Sequence, residues 1–169
     1  MSRIRFIAVR PTPASVKHLL SAARADPVGP WLTEPNGWHV TVAFLGRVRQ
    51  DRSAAVRTAV TGSVAGLPAP RLRLTGGGAF GRAQYVGVDG DLVGLAALAD
   101  RVRSALDAVG QPYDSKPFVP HLTIARRPTP EPQSWQDYRG PWFTPRRLLM
   151  CGERLDTGYR VVDAVRFTG

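Results

Sequence analysis

Trp38-His39-Val40-Thr41-Val42-Ala43-Phe44-Leu45-Gly46 is the stretch on which the reading of this chain turns. Alone it describes an ordinary buried strand, and a single short motif carries little weight. The same pattern returns at Pro120-His121-Leu122-Thr123-Ile124-Ala125-Arg126-Arg127, so both copies spell His-aliphatic-Thr-aliphatic-Ala. The chain has three histidines, and the repeat holds all but His18. Strand side chains alternate between two faces. Strict alternation puts His39, Thr41 and Ala43 on one face and Val40, Val42 and Phe44 on the core side. In the second copy it groups His121, Thr123, Ala125 and Arg127, with Leu122, Ile124 and Arg126 opposite. Each strand thus offers a polar dyad backed by a hydrophobic surface, with a small Ala leaving room beside it. Two matched dyads predict a pseudo-symmetric pair facing one cleft.

Composition sets the frame around this repeat. A chain of 169 residues, 43% hydrophobic and 21% charged, is long enough to bury a core as one globular domain. Its net charge is +10, and Lys17 and Lys116 are its only lysines, so the basic side is nearly all arginine. Arginine presents a planar fork that suits phosphate, and a basic surface favours polyanionic partners. Cys151 stands alone, which excludes an intrachain disulfide and a cysteine metal cluster. The start, Met1-Ser2-Arg3-Ile4-Arg5, is too charged for a signal peptide. No stretch has the length of a transmembrane helix. A cytoplasmic protein with no membrane partner is expected.

In chain order, alternation predicts a strand over 4–9, and Pro13 opens a helix carrying Val16, Leu19, Leu20 and Ala23 at helical spacing. His18 sits on that helix without an echo in the second half and is expected at the surface. A loop over 26–36 carries Trp31, the first dyad strand follows, and a helix is expected over 50–65. Residues 71–75 alternate as a strand. Gly76-Gly77-Gly78 is no phosphate-binding P-loop, since no Gly-Lys-Ser/Thr follows, and reads as a turn or bulge. A strand over 83–88, a helix over 91–109 capped by Gly110, and a loop over 112–120 lead to the second dyad strand. A Pro-rich stretch over 128–140, with one helical turn at 133–138, precedes two strands at 142–151 and 160–167. The mixture without strict alternation points to an α+β fold.

Paired histidines suit acid–base chemistry near neutral pH: one, neutral, takes a proton, and the other, charged, gives one. Each Thr hydroxyl two residues on can donate to an oxygen on which charge develops. No His, Asp, Glu or Cys cluster has metal-ligand spacing, so no metal and no cofactor are expected.

The contexts WHVTVAFLG and FVPHLTIAR resemble the two signatures of the two-histidine phosphoesterase superfamily. The likeness is greatest to its bacterial and archaeal RNA 2′,3′-cyclic phosphodiesterases, historically called 2′-5′ RNA ligases. It spans most of the chain and includes the opening strand, Phe80-Gly81 after a Gly-rich turn, and Gly158-Tyr159 in a closing hairpin. The resemblance implies two pseudo-symmetric lobes in one domain over 1–169, with antiparallel sheets lining a central cleft and helices packed outside. It implies metal-independent hydrolysis of RNA 2′,3′-cyclic phosphate ends to 2′-phosphates by a monomer, with RNA ends or cyclic nucleotides as substrates. His39 and His121 are then catalytic, His39 as acid and His121 as base, while Thr41, Thr123 and Arg126 hold phosphate. Alternation favours Arg127 for the cleft where the resemblance favours Arg126. Phe44, at the matching place in the first copy, is expected in the core. Phe80, Tyr85, Tyr113 and Tyr159 are candidates for stacking on a base. The segment 151–155 lacks a serine often seen there in the family, which leaves the substrate subclass open. The alternatives are a phosphoesterase of small cyclic phosphates or 2′-5′ linked oligonucleotides, a 2′-5′ RNA ligase, and a non-catalytic RNA-binding module. Two intact dyads speak against the last.

Overall fold

The computed structural model describes residues 3–127 and 135–169. Its elements are β1 (Phe6–Val9), α1 (Pro13–Arg24), β2 (Val40–Phe44), α2 (Ser53–Ser63), β3 (Leu72–Phe80), β4 (Ala83–Gly90), α3 (Leu92–Ala108), β5 (His121–Arg126), β6 (Arg147–Leu155) and β7 (Gly158–Arg166). Local chemistry explains the helix ends. Thr12 caps α1 by accepting from the N–H of Ser15, and Pro13 needs no donor partner in the first turn. Asp91 caps α3 by accepting from the N–H of Gly94 at 2.8 Å, and Gly110 ends it at φ 67°. The apolar stripe of α3, Leu95, Leu98, Ala99, Val102 and Leu106, is buried as its spacing predicts.

The strands form a four-stranded sheet in the order β2-β1-β6-β7 and a three-stranded sheet in the order β3-β4-β5, with every pairing antiparallel. The edge strands β2 and β5 lie against each other, so each dyad strand sits at the junction of the two sheets. Helices α2 and α3 pack together, α3 against β2 and α2 against β7, where Arg57 pairs with Asp163 at 3.1 Å. One buried cluster joins both sheets and all three helices, with Ile7, Val40, Leu72, Val86, Leu122 and Ile124 from the strands and Leu19, Val56 and Leu98 from the helices. The α+β architecture is as expected. Among the described residues no helix is long and apolar enough to cross a membrane.

Two strand boundaries differ from expectation. Strand β3, expected over 71–75, runs on through Gly76-Gly77-Gly78 to Phe80, and of the turn or bulge expected at the glycines the structure has the bulge, between Thr75 and Gly78. Gly78 is there because the Tyr85 ring crosses it: a Cβ would lie 2.0 Å from that ring. The strand expected from residue 142 becomes regular only at Arg147. Upstream, isolated bridges Leu72↔Phe143 and Thr75↔Arg139 tie residues 139–143 to the edge of β3, and Pro141 and Pro145 supply no N–H for a longer ladder. The helical turn expected at 133–138 falls partly outside the described residues; within them the N–H of Tyr138 donates to Trp135 O at 3.1 Å.

Candidate active site

Two matched bulges shape the site. In the β1–β2 pairing Ala8 faces Thr41 and Ile7 faces Ala43, so Val42 is an extra residue. In β4–β5 Tyr85 faces Thr123 and Gln84 faces Ala125, so Ile124 is extra. An added residue reverses the alternation beyond it. Ala43 and Ala125 therefore turn into the core, at 2% and 0% exposure, and do not flank the dyads as strict alternation requires. Phe44 and Arg126 turn the other way, into the cleft.

The cleft has a volume of about 370 Å³. Both dyads line it, His39 and Thr41 from β2 and His121 and Thr123 from β5, together with Arg126, Arg5, Phe6, Arg154 and Tyr159. Each histidine is oriented in the same way. His39 Nδ1 lies 2.8 Å from the carbonyl of Gly37, and His121 Nδ1 lies 2.8 Å from the carbonyl of Val119. A carbonyl only accepts, so each Nδ1 carries the proton. In His39 this leaves Nε2 to accept from the Thr41 hydroxyl at 3.0 Å.

Aromatic rings set both imidazoles. Phe6 stacks on His39 with centroids 4.5 Å apart, and Tyr159 meets it edge-on at 5.4 Å. In the second half Phe80 and Tyr85, stacked at 4.7 Å, meet His121 edge-on at 5.2 and 5.3 Å. Burial lowers the pKa of His39. The carbonyl of Gly37 raises it in part, and the charges of Arg10 and His121 lower it further. Cys151 lies behind Phe6, and burial pushes its thiol up to about 12, so it stays protonated.

All five residues singled out from sequence, His39, Thr41, His121, Thr123 and Arg126, border the one cleft, and Arg127 does not. The N–H of Arg127 instead donates to Arg82 O at 3.0 Å. Phe44, expected in the core, is 52% exposed and lines the cleft. Arg5, Arg154 and Glu34 also border it and were not singled out, because nothing in an isolated arginine or glutamate marks it as facing a cleft. Of the aromatic candidates Tyr159 lines the cleft. Tyr113 instead donates its hydroxyl to Asp107 at 3.2 Å, at the end of α3. His18 is exposed as expected, with Nδ1 2.9 Å from the Tyr138 hydroxyl. Among the described residues no group of three or more His, Cys, Asp or Glu is placed to hold a metal ion.

A sequence model of the 2′-5′ RNA ligase superfamily matches residues 12–146. The RNA 2′,3′-cyclic phosphodiesterase of Geobacillus stearothermophilus is 33% identical over 138 residues, which cover 75% of this chain and 43% of that protein. The protein of the same name from Thermus thermophilus is 34% identical over 109 residues, 59% of this chain and 54% of its own length. The chain thus spans about half the length of the curated relatives it matches. Among solved structures, TT0787 of Thermus thermophilus superposes with a TM-score of 0.76 at 27% identity, covering 99% of this chain and 98% of that one. E. coli LigT complexed with NADP+ gives 0.82 at 19% identity over 99% of both chains, a likeness of fold. With two bulged His-x-Thr strands meeting at one cleft, and a family match that spans most of its length, this chain belongs to the 2′-5′ RNA ligase superfamily of two-histidine phosphoesterases.

Proposed function

We propose that this protein hydrolyses the 2′,3′-cyclic phosphate at RNA ends to a 2′-phosphate, with His39 and His121 as an acid–base pair. The observation that carries the reading is the pair of dyads on one cleft, each histidine held by a carbonyl through Nδ1 so that Nε2 is the reactive nitrogen. The names of the two curated relatives support the substrate class. A cleft of about 370 Å³ suits a terminal nucleotide.

His121 Nε2 takes a proton from water as the water oxygen bonds to phosphorus. The bond from phosphorus to the ribose 3′-oxygen breaks, and His39 delivers its Nε2 proton to that oxygen. His39 rests neutral in the free chain, so it takes up this proton as the anionic phosphate enters. Thr41, Thr123 and Arg126 hold the phosphoryl oxygens and stabilise their growing charge. No step draws on a metal ion. One two-lobed domain acts as a unit, because each lobe supplies one histidine.

The deciding experiment compares turnover of 2′,3′-cyclic mononucleotides, cyclic-ended RNA and 2′-5′ linked dinucleotides, in excess EDTA and without it. Conversion of the cyclic ends to 2′-phosphates, undiminished by EDTA, is expected. Loss on chelation with rescue by one divalent ion defeats the mechanism, and turnover confined to the 2′-5′ linkage defeats the substrate assignment.

A further inference from the structure

The enclosed part of the cleft leans over the four-stranded sheet, where Arg5, Phe6, Arg154 and Tyr159 border it. The other flank is the face of the three-stranded sheet that carries His121 and Thr123. Register continues that face outward: Gly87 of β4 lies beside His121, and Thr75 of β3 lies beside Gly87. Alternation along β3 adds Arg73 and then Arg71 to the same face. Nothing covers it. Arg71, Arg73, Thr75, Gly87 and Asp89 are all at least partly exposed, whereas the intervening Leu72, Leu74, Val86 and Val88 are buried.

At its far edge residues 139–143 lie along β3. Phe143 pairs with Leu72 and enters the core, and its neighbour Trp142 is left 42% exposed. The guanidinium carbons of Arg71 and Arg73 lie 4.5 and 4.8 Å from the centre of the Trp142 ring. Arg73 Nε also donates to Gly140 O at 3.0 Å. Among the described residues neither arginine is in an ion pair. Asp89, the register partner of Arg73, spends one carboxylate oxygen on the N–H of Gly90 at 2.8 Å. Arg139, exposed and paired with Thr75, extends the basic row.

We infer that the Arg71–Trp142–Arg73 cluster holds the phosphodiester backbone of a single-stranded RNA whose cyclic end lies in the cleft; this rests on the RNA-end reading above. Stacking on the indole fixes the two guanidinium planes and leaves N–H edges free for phosphate oxygens. Two unneutralised cations beside an exposed aromatic ring match the recurring surface for single-stranded nucleic acid. Two strand spacings and two residues along the strand separate His121 from Arg73, about 12 Å between backbones. The cluster therefore meets a phosphate upstream of the reacting one, and a mononucleotide does not reach it.

The test uses the full chain with the substitutions Arg71→Gln and Arg73→Gln together, and Arg71→Gln alone. Binding of a fluorescent decanucleotide ending in a 3′-phosphate is read by anisotropy over a salt series, and turnover of a 2′,3′-cyclic mononucleotide is measured in parallel. The double variant is expected to bind the decanucleotide about tenfold more weakly and to lower the slope of log K against log salt by about 1.4, with mononucleotide turnover within about twofold of wild type. Arg71→Gln alone leaves the Arg73–Gly140 bond in place and is expected to lower the slope by about 0.7. Unchanged oligonucleotide affinity and slope overturn the inference. Equal losses on oligonucleotide and mononucleotide overturn it as well, since the cluster is then a structural clamp. If the wild type hydrolyses no cyclic phosphate and the variants still bind the decanucleotide less well, the function proposed above fails and the backbone site stands.

Discussion

Thr33 gives both its N–H, at 2.9 Å, and its hydroxyl, at 3.1 Å, to the carbonyl of Ile124, the extra residue of the β5 bulge. The same hydroxyl accepts from Trp38 Nε1 at 3.0 Å, and Trp38 is 1% exposed. One loop residue of the first half thus clamps the bulge of the second half and satisfies a buried indole. Thr33→Val removes both side-chain bonds and leaves that donor unpaired, a cost of about 1–3 kcal/mol. Denaturant unfolding should show a lowered midpoint with the slope unchanged. A loss below about 0.5 kcal/mol, the range of ordinary surface changes, means the bulge holds itself.

The bulge also separates two adjacent arginines. Arg126 lines the cleft and Arg127 does not, so Arg126→Ala should lower kcat/KM on a cyclic mononucleotide about tenfold or more, as expected for a lost charged hydrogen bond. Arg127→Ala should change it less than about twofold, a surface effect. Equal effects from the two substitutions contradict the reversed alternation.

Phe44 stands where Arg126 stands in the other half, so the matching position beyond each dyad is aromatic in one half and charged in the other. An exposed ring there offers contact to a ribose or base, not to phosphate. Phe44→Ala should raise KM several-fold and leave kcat nearly unchanged, the pattern of lost uniform binding. A fall in kcat with KM unchanged assigns the ring to the transition state instead.

His39 titrates below the ordinary histidine range, chiefly through burial and further through the charges of Arg10 and His121. Arg10→Gln removes one repulsive charge, so the His39 pKa should rise; an NMR titration of its Cε1–H measures it. Linkage follows the same sign. The unfolded chain takes the proton near pH 6.5, so the stability this group contributes is whole above that value and is lost as pH falls through the lower folded pKa. A His39 pKa at or above 6.5 in the folded wild type excludes this account.

His39→Ala and His121→Ala should each cost about 10²–10⁴-fold in turnover of the cyclic phosphate, with the fold retained. The double substitution should cost less than the product of the two, since the pair acts as a unit. A substrate with an activated 3′-leaving group needs no acid, so His39→Ala should recover most of its rate on it and His121→Ala should not. The reverse recovery exchanges the two roles. Near-normal rates in both single variants on the cyclic phosphate remove the acid–base pair altogether.

The repeat was legible in the chain because it is local. Two His-aliphatic-Thr runs, helices with apolar stripes, and caps such as Asp91 and Gly110 depend on residues within a few positions, so order, element type and the five residues at the cleft follow from spacing and family resemblance. What lies beyond each Thr does not. Whether Ala43 or Phe44, and Arg126 or Arg127, face the cleft depends on one extra residue in a ladder, and that is settled by the partner strand and by Thr33 reaching across from the other half. Trp142 is the same case at the far edge. Only the pairing of Phe143 with Leu72 sends it outward beside Arg71 and Arg73, because a side chain's face in a sheet is a property of the register, not of the strand that carries it.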